Sequence, residues 1–250
     1  MSAAAGRSSG RRRVALDELA AGGWAGVPAA LARLQLELPV GAAVRCSVEA
    51  GYPPAAPPPA ELVIGAGFVV ESARGAQGRS LVDARRDRTL PDFAGGGMRM
   101  LVCGLNPSLV SADAGFGYAG ATNRFWAAAV SAGIVRHARQ PLVSLTEDGV
   151  GMTDLVKRAT PNADDLTSAE YRAGAERVAC LVRWLRPGVV LFVGLAGWRA
   201  AIDRRAQPGQ QPSPFGGVPA YVMPSTSGRN ARTTPAELAD HMRQALSLSA

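Results

Sequence analysis

Apolar and polar positions change period along this chain. From about residue 97 onward, short and almost wholly apolar runs alternate with longer stretches of helical spacing. That is the pattern of buried strands joined by helices. Arg99 to Gly104, Val189 to Gly194 and Ala220 to Met223 read as strands. Asn123 to Ala132, Ser168 to Leu185 and Pro235 to Leu246 read as helices. Thr167-Ser168 with Glu170 close behind opens the second helix, and Arg186-Pro-Gly188 closes it. The alternation predicts an α/β fold: three layers, α/β/α, around a central, mainly parallel sheet.

The first third of the chain is less regular. Residues 1–13 are rich in Ser, Gly and Arg and read as a disordered tail. Leu16 to Leu38 has helical spacing, broken at Gly22-Gly23 and Pro28. Val40 to Ala50 and Gly67 to Glu71 read as strands, with Ser80 to Arg86 as the hairpin partner of the latter and a short helix over Pro59 to Ala66. Asp92-Phe-Ala-Gly-Gly-Gly97 reads as a linker. The expected organisation is therefore a tail (1–13), a small α+β segment (14–92) and the α/β domain (97–250), without internal repeats.

Two polar loops follow strands of the second part. Gly104-Leu-Asn-Pro-Ser108 ends the strand from Arg99 in an Asn-Pro turn, so the Asn106 amide sits at a carboxyl strand end. Open α/β sheets put their ligands there. The second loop runs through Met223-Pro-Ser-Thr-Ser-Gly-Arg-Asn-Ala231. Read singly, these residues have ordinary structural uses. Asn106 suits an Asx turn, Asn123 a helix N-cap, Thr160 a turn hydroxyl before Pro161, Tyr118 the edge of a core and Arg229 a solvated loop. Gly115-Phe-Gly-Tyr-Ala-Gly120 matches a Gly-x-Gly-x-x-Gly pattern and opens a more distant reading, a Rossmann-type nucleotide-binding protein. Against it, Asn106-Pro-Ser lies between strand and glycines, and no strand ending in an acid follows about 20 residues on.

Taken together and in order, the motifs resemble the mismatch-specific uracil/thymine-DNA glycosylases of the uracil-DNA glycosylase superfamily. The family's first motif is Gly-Ile-Asn-Pro-Gly; here it is Gly104-Leu-Asn-Pro-Ser108. A Gly/aromatic loop, Ala114-Gly-Phe-Gly-Tyr118, and Asn123-Arg-Phe-Trp126 follow. Thr153-Asp-Leu-Val-Lys-Arg-Ala-Thr-Pro161 matches the middle segment, and the loop ending at Ala231 the second motif. The resemblance covers roughly Gly97 to Leu246. It implies base flipping and hydrolysis of the N-glycosidic bond of uracil opposite guanine, with thymine and damaged pyrimidines as further candidates. It implies that Asn106 positions the water, with Thr160 helping to hold it. Leu105, Ser108, Ser111, Tyr118 and Asn123 would surround the flipped base, Tyr118 by stacking. Ser225, Ser227, Gly228, Arg229, Asn230 and Ala231 would contact DNA, the two serines at phosphates and Ala231 by its backbone at the guanine. Arg229 would fill the space the base leaves, because a guanidinium stacks on bases and reaches phosphate.

Ser108 stands where the family has glycine, and Gly228 and Asn230 also depart from the thymine-active pattern. A second reading is therefore a weak or inactive DNA-binding relative. The first part resembles, through Leu38-Pro-Val-Gly41 and Leu62 to Val70, the C-terminal end of a class I methyltransferase domain lacking its methyl-donor loop. That implies a remnant or packing module.

Composition adds bounds. The net charge is +7, and of 27 basic residues only Lys157 is lysine. The excess suits a polyanionic partner and equally a basic solvated surface. The expected partner is double-stranded DNA with G:U or G:T mismatches, met by a monomer. No lysine lies in either loop for Schiff-base lyase chemistry. Cys46, Cys103 and Cys180 are far apart in apolar contexts, reading as buried small hydrophobes in a reducing compartment. With His137 and His241 the only histidines, neither metal nor cofactor is expected. No apolar run is long enough to span a membrane, and a cytoplasmic, nucleoid-associated location is expected.

Overall fold

The computed structural model describes residues 11–49, 51–76 and 79–249. The first unit contains β1 (Arg12–Ala15), α1 (Leu16–Leu19), α2 (Val27–Glu37), β2 (Ala43–Val48), α3 (Pro59–Gly65), β3 (Phe68–Ala76) and β4 (Arg79–Arg86). Its sheet runs β1-β2-β4-β3. Val44, Cys46, Val82, Ala84 and Phe68 of the sheet pack on Val27, Leu31 and Leu34 of α2 and Leu62 and Val63 of α3. The tail expected over 1–13 lies outside the described residues up to residue 10. Arg12 and Arg13 belong instead to β1, which pairs in parallel with β2.

The second unit is an α/β sandwich. Its strands are β5 (Met100–Gly104), β6 (Val150–Asp154), β7 (Val189–Val193), β8 (Gly209–Gln210) and β9 (Ala220–Met223). Its helices are α4 (Leu109–Ala114), α5 (Phe125–Ser131), α6 (Pro141–Asp148), α7 (Ser168–Leu185), α8 (Leu195–Ala201) and α9 (Pro235–Leu246). The sheet order is β6-β5-β7-β9-β8, parallel except for the β8 edge. Alternate residues of each strand serve opposite layers. Leu101 and Cys103 face α7 and α8, through Val178, Leu181 and Trp198. Met100 and Val102 face α5 and α9, through Phe125, Trp126, Leu238 and Met242. Burial on both faces is why these strands read as unbroken apolar runs. From β5 the chain crosses to β6 on one side and afterwards builds β7 and β9 on the other. The crevice at the carboxyl ends of β5 and β7 is therefore a topological switch point.

Residues 92–97 are not a linker. Phe93 and Met152 exchange backbone hydrogen bonds of 2.9 and 2.8 Å, and Phe93 is buried. Gly96 lies against Ala25 of the first unit, where an added Cβ would stand 3.2 Å from the Ala25 Cβ. The buried Asp92 carboxylate takes Lys157 Nζ at 2.9 Å, Arg177 Nη1 at 2.6 Å and Thr153 Oγ1 at 2.6 Å. Burial pushes this carboxyl up, but the two cations and the Thr153 hydroxyl outweigh it and hold it below the usual range. Gln35 Nε2 of α2 donates to Thr89 O at 2.9 Å, and Ala29 and Ala32 of α2 enter the two cores of the second unit. The two units are packed together rather than tethered.

Candidate active site

The loops after β5, β6 and β9 enclose a cleft of about 520 Å³. Leu105, Asn106, Ser108, Ser111, Tyr118, Asn123, Thr160, Ser225, Ser227, Arg229 and Asn230 all line it, from segments far apart in sequence. Of the expected residues, Gly228 and Ala231 lie outside the lining. Asn162 and Thr226 were not foreseen and belong to it. Asn162 follows the middle motif by one residue, and its neighbourhood was the only signal for it.

Asn106 is fixed by its nitrogen. Nδ2 donates to Thr160 Oγ1 at 2.8 Å, Arg158 O at 3.0 Å and Pro107 O at 3.2 Å. Three acceptors on one side settle which end of the amide is nitrogen. Oδ1 is left without a partner among the described residues. The single proton of the Thr160 hydroxyl goes to Asn162 O at 2.6 Å. Thr160 thus holds Asn106, and its proton is not available to orient a water.

The first glycine of the motif is set by crowding. A Cβ on Gly104 would collide with Asp154 Oδ1 and stand 3.1 Å from Tyr118 Oη. Tyr118 has φ 60°, an uncommon conformation for a bulky residue, and its ring stacks on Phe125 with centroids 4.0 Å apart and planes 17° apart. Its buried hydroxyl has no hydrogen-bond partner among the described residues. Burial, and behind it the Asp154 and Cys103 charges, push the phenol far above its usual value, so it stays protonated. Asn123 Oδ1 accepts Phe125 N at 3.0 Å, an Asx turn one residue ahead of the helix cap, which is Arg124. The Asn123 Nδ2 protons have no partner among the described residues, so the amide offers donors to the cleft.

Ser108 caps α4. Its hydroxyl accepts Ser111 N at 3.1 Å and donates to Ser111 Oγ at 3.0 Å, and Ser111 Oγ accepts Ala119 N at 3.2 Å. The residue in place of the family glycine therefore braces the Tyr118 loop. Gly115 ends α4 in the left-handed conformation, so the glycine run is not the strand-to-helix turn that a dinucleotide site needs. In the last loop, Ser225 Oγ accepts Ser227 N and Ser227 Oγ accepts Arg229 N, which leaves both hydroxyl protons to give away. Arg229 is exposed and reaches across the cleft to Asn162 Oδ1 at 2.9 Å.

Asp154, a residue of the middle motif, ends β6. Burial and the Asp92 charge push its carboxyl up to about 6, against the pull of Lys157 and Arg177; burial is the largest cause. The folded value exceeds the unfolded one near 4, so the folded state holds this proton more tightly. Stability contributed by the group is present at low pH and falls as pH rises through about 6. Asp154→Asn is expected to stabilise the protein by about 2–3 kcal/mol at pH 8 and by about half as much at pH 5. Thermal melts at the two pH values check this; an equal effect at both contradicts it.

The family model described as the uracil DNA glycosylase superfamily matches residues 91–247, a span that begins just before Asp92 and contains the whole cleft.

Proposed function

The chain belongs to the uracil DNA glycosylase superfamily, whose members are hydrolases acting on uracil in DNA, and on that premise we propose that it removes uracil mispaired with guanine. The observation that carries this reading is the state of Asn106, a residue of the cleft wall: nitrogen held by three acceptors, oxygen without a partner among the described residues.

In this reading, a uridine flipped into the cleft stacks on the Tyr118 face opposite Phe125. The free Asn123 amide protons donate to a carbonyl on the edge of the base, which uracil has and the amino edge of cytosine lacks. Asn106 Oδ1 accepts a hydrogen bond from a water and aims its oxygen at the glycosidic carbon. A carboxamide is too weak a base to deprotonate that water early. The bond to the base therefore breaks ahead of attack, charge builds on the sugar as an oxocarbenium-like cation, the base leaves with the electron pair, and the water adds to the cation and gives its proton to the departing base or to solvent. Thr160 acts through Asn106 as a positioning residue. The Ser225 and Ser227 hydroxyls donate to phosphates, and the Gly228–Ala231 tip meets the duplex, with Arg229 released from Asn162 to fill the gap. Lys157, the one lysine, is held by Asp92 and lines no part of the cleft, which favours a glycosylase without lyase activity. Ser108, braced into the α4 cap, gives no support to a disabled pocket.

A mismatched base is easier to extrude than a well-paired one. Single-turnover excision is therefore expected to run about tenfold faster on a G:U duplex than on the same duplex with A:U, with G:T slower than G:U. Equal rates on G:U and A:U contradict the mismatch preference.

A further inference from the structure

The loop between β9 and α9 has little regular structure, yet it must present Arg229 at a fixed place relative to the base pocket. Its own bonds are local: Ser227 N to Ser225 Oγ, Arg229 N to Ser227 Oγ, Asn230 N to Ser227 O at 2.9 Å, and Asn230 Nδ2 to Ser225 O at 2.8 Å and Thr233 Oγ1 at 3.1 Å. Beyond the Arg229 bond to Asn162, its ties to the rest of the domain converge on one residue of another segment. Arg124 N donates to Thr226 O at 3.0 Å. Its guanidinium donates through Nη1 to Thr233 O at 2.6 Å, and through Nη2 to Asn230 O and, more weakly at 3.4 Å, to Ser227 O. Four carbonyls spanning residues 226–233 thus converge on one side chain and its backbone. Arg124 itself stands between Asn123, which lines the cleft, and Phe125 and Trp126, which are buried in the core. The neighbouring Thr122 backs the loop from the same side: a Cβ on Gly228 would come within 2.5 Å of Thr122 Oγ1.

This geometry joins the base pocket to the loop tip as one body. Tyr118 stacks on Phe125, Asn123 is bonded to Phe125 N, and Arg124 between them grips the loop. We infer that Arg124 is a positioning residue that sets Arg229 against the base pocket, so that filling of the duplex gap and capture of the flipped base occur in register. The inference rests on the glycosylase reading for its substrate. A planar fork with five donors suits several carbonyls at once; the ammonium of lysine, a point donor on a flexible stem, does not.

The test is a double-mutant cycle on full-length protein. Affinity is measured for a duplex carrying a tetrahydrofuran abasic analogue opposite guanine, using wild type, Arg124→Ala, Arg229→Ala and the double variant. Arg229→Ala is expected to weaken binding about tenfold. Arg124→Ala is expected to lose a similar factor, and the double variant little more than either, because Arg124 acts through Arg229. Arg124→Lys, the milder variant that protects against a folding defect, is expected to fall between wild type and Arg124→Ala with an unchanged melting temperature. Losses that multiply in the double variant, or Arg124→Lys and Arg124→Ala that bind like wild type, overturn the inference. A wild type that binds the abasic duplex and shows this cycle without excising uracil contradicts the glycosylase reading and leaves the coupling standing.

Discussion

Asn106→Ala is expected to lower single-turnover excision of uracil by about 100-fold or more while leaving duplex affinity within about twofold of wild type. The asymmetry follows from where its bonds go. Asn106 Nδ2 is held by Thr160, Arg158 and Pro107, which leaves Oδ1 as its one polar atom without a partner among the described residues. Residues proposed to meet the duplex belong to the loop after β9, gripped independently through Arg124. Truncating Asn106 therefore removes the group that orients the water and none of the groups that hold the strand. Single-turnover rates and band-shift affinities on one duplex check both halves. An Asn106→Ala variant with near-normal rate would remove Asn106 from the mechanism.

Asp92→Asn is expected to destabilise the chain by about 3 kcal/mol at pH 7, a fall in melting temperature of about 10 °C for a chain of this size. The reason is what stays behind. Lys157 and Arg177 are 10% and 9% exposed and both turn to this carboxylate. A carboxamide leaves two cations side by side with only the neighbouring Asp154 carboxylate to offset them. The same group gives wild type an acid sensitivity. Its folded value lies below the unfolded one near 4, so its contribution is complete above that value and is lost as pH falls through the folded one. The gap between wild type and Asp92→Asn should therefore narrow in acid. A variant that melts like wild type at pH 7 would mean the carboxylate is not ionised or not needed.

The elements that were legible in the sequence are those whose burial is set by their own pattern. β9 and helices α7 and α9 fall where apolar spacing and punctuation put them, and Thr167/Glu170 closes a full capping box. β7 differs from its reading by one residue and β5 by one, within the usual play at strand ends. Helices α4, α6 and α8 were missed; at six to eight residues they are too short for a 3.6-residue period to repeat. β6 was missed as well. Gly151 and Thr153 interrupt its apolar run, and both are there for neighbours: a Cβ on Gly151 would meet the Phe93 carbonyl at 2.9 Å, and Thr153 serves Asp92. The linker reading failed for a related reason, since Phe93 is buried and paired with Met152 and Gly96 packs closely on Ala25.

The site shows the same division. Motif residues came together in one cleft because loops after parallel strands share one edge of the sheet. What the sequence concealed were bonds across long separations. Arg124 lies over 100 residues from the loop it grips, and Asp92 over 60 from its lysine. Thr160 looked like a partner for water and is a partner for Asn106, a distinction that only the direction of a hydroxyl proton makes.

Release of the base itself tests glycosylase activity most directly. Full-length protein is incubated with a duplex carrying a single uracil opposite guanine, free uracil is quantified, and the strand is examined before and after alkali. Free uracil is expected in an amount equal to the alkali-labile sites, with an intact strand before alkali and loss of both signals in Asn106→Ala. No uracil above the protein-free background, or strand cleavage before alkali, would contradict the proposed function.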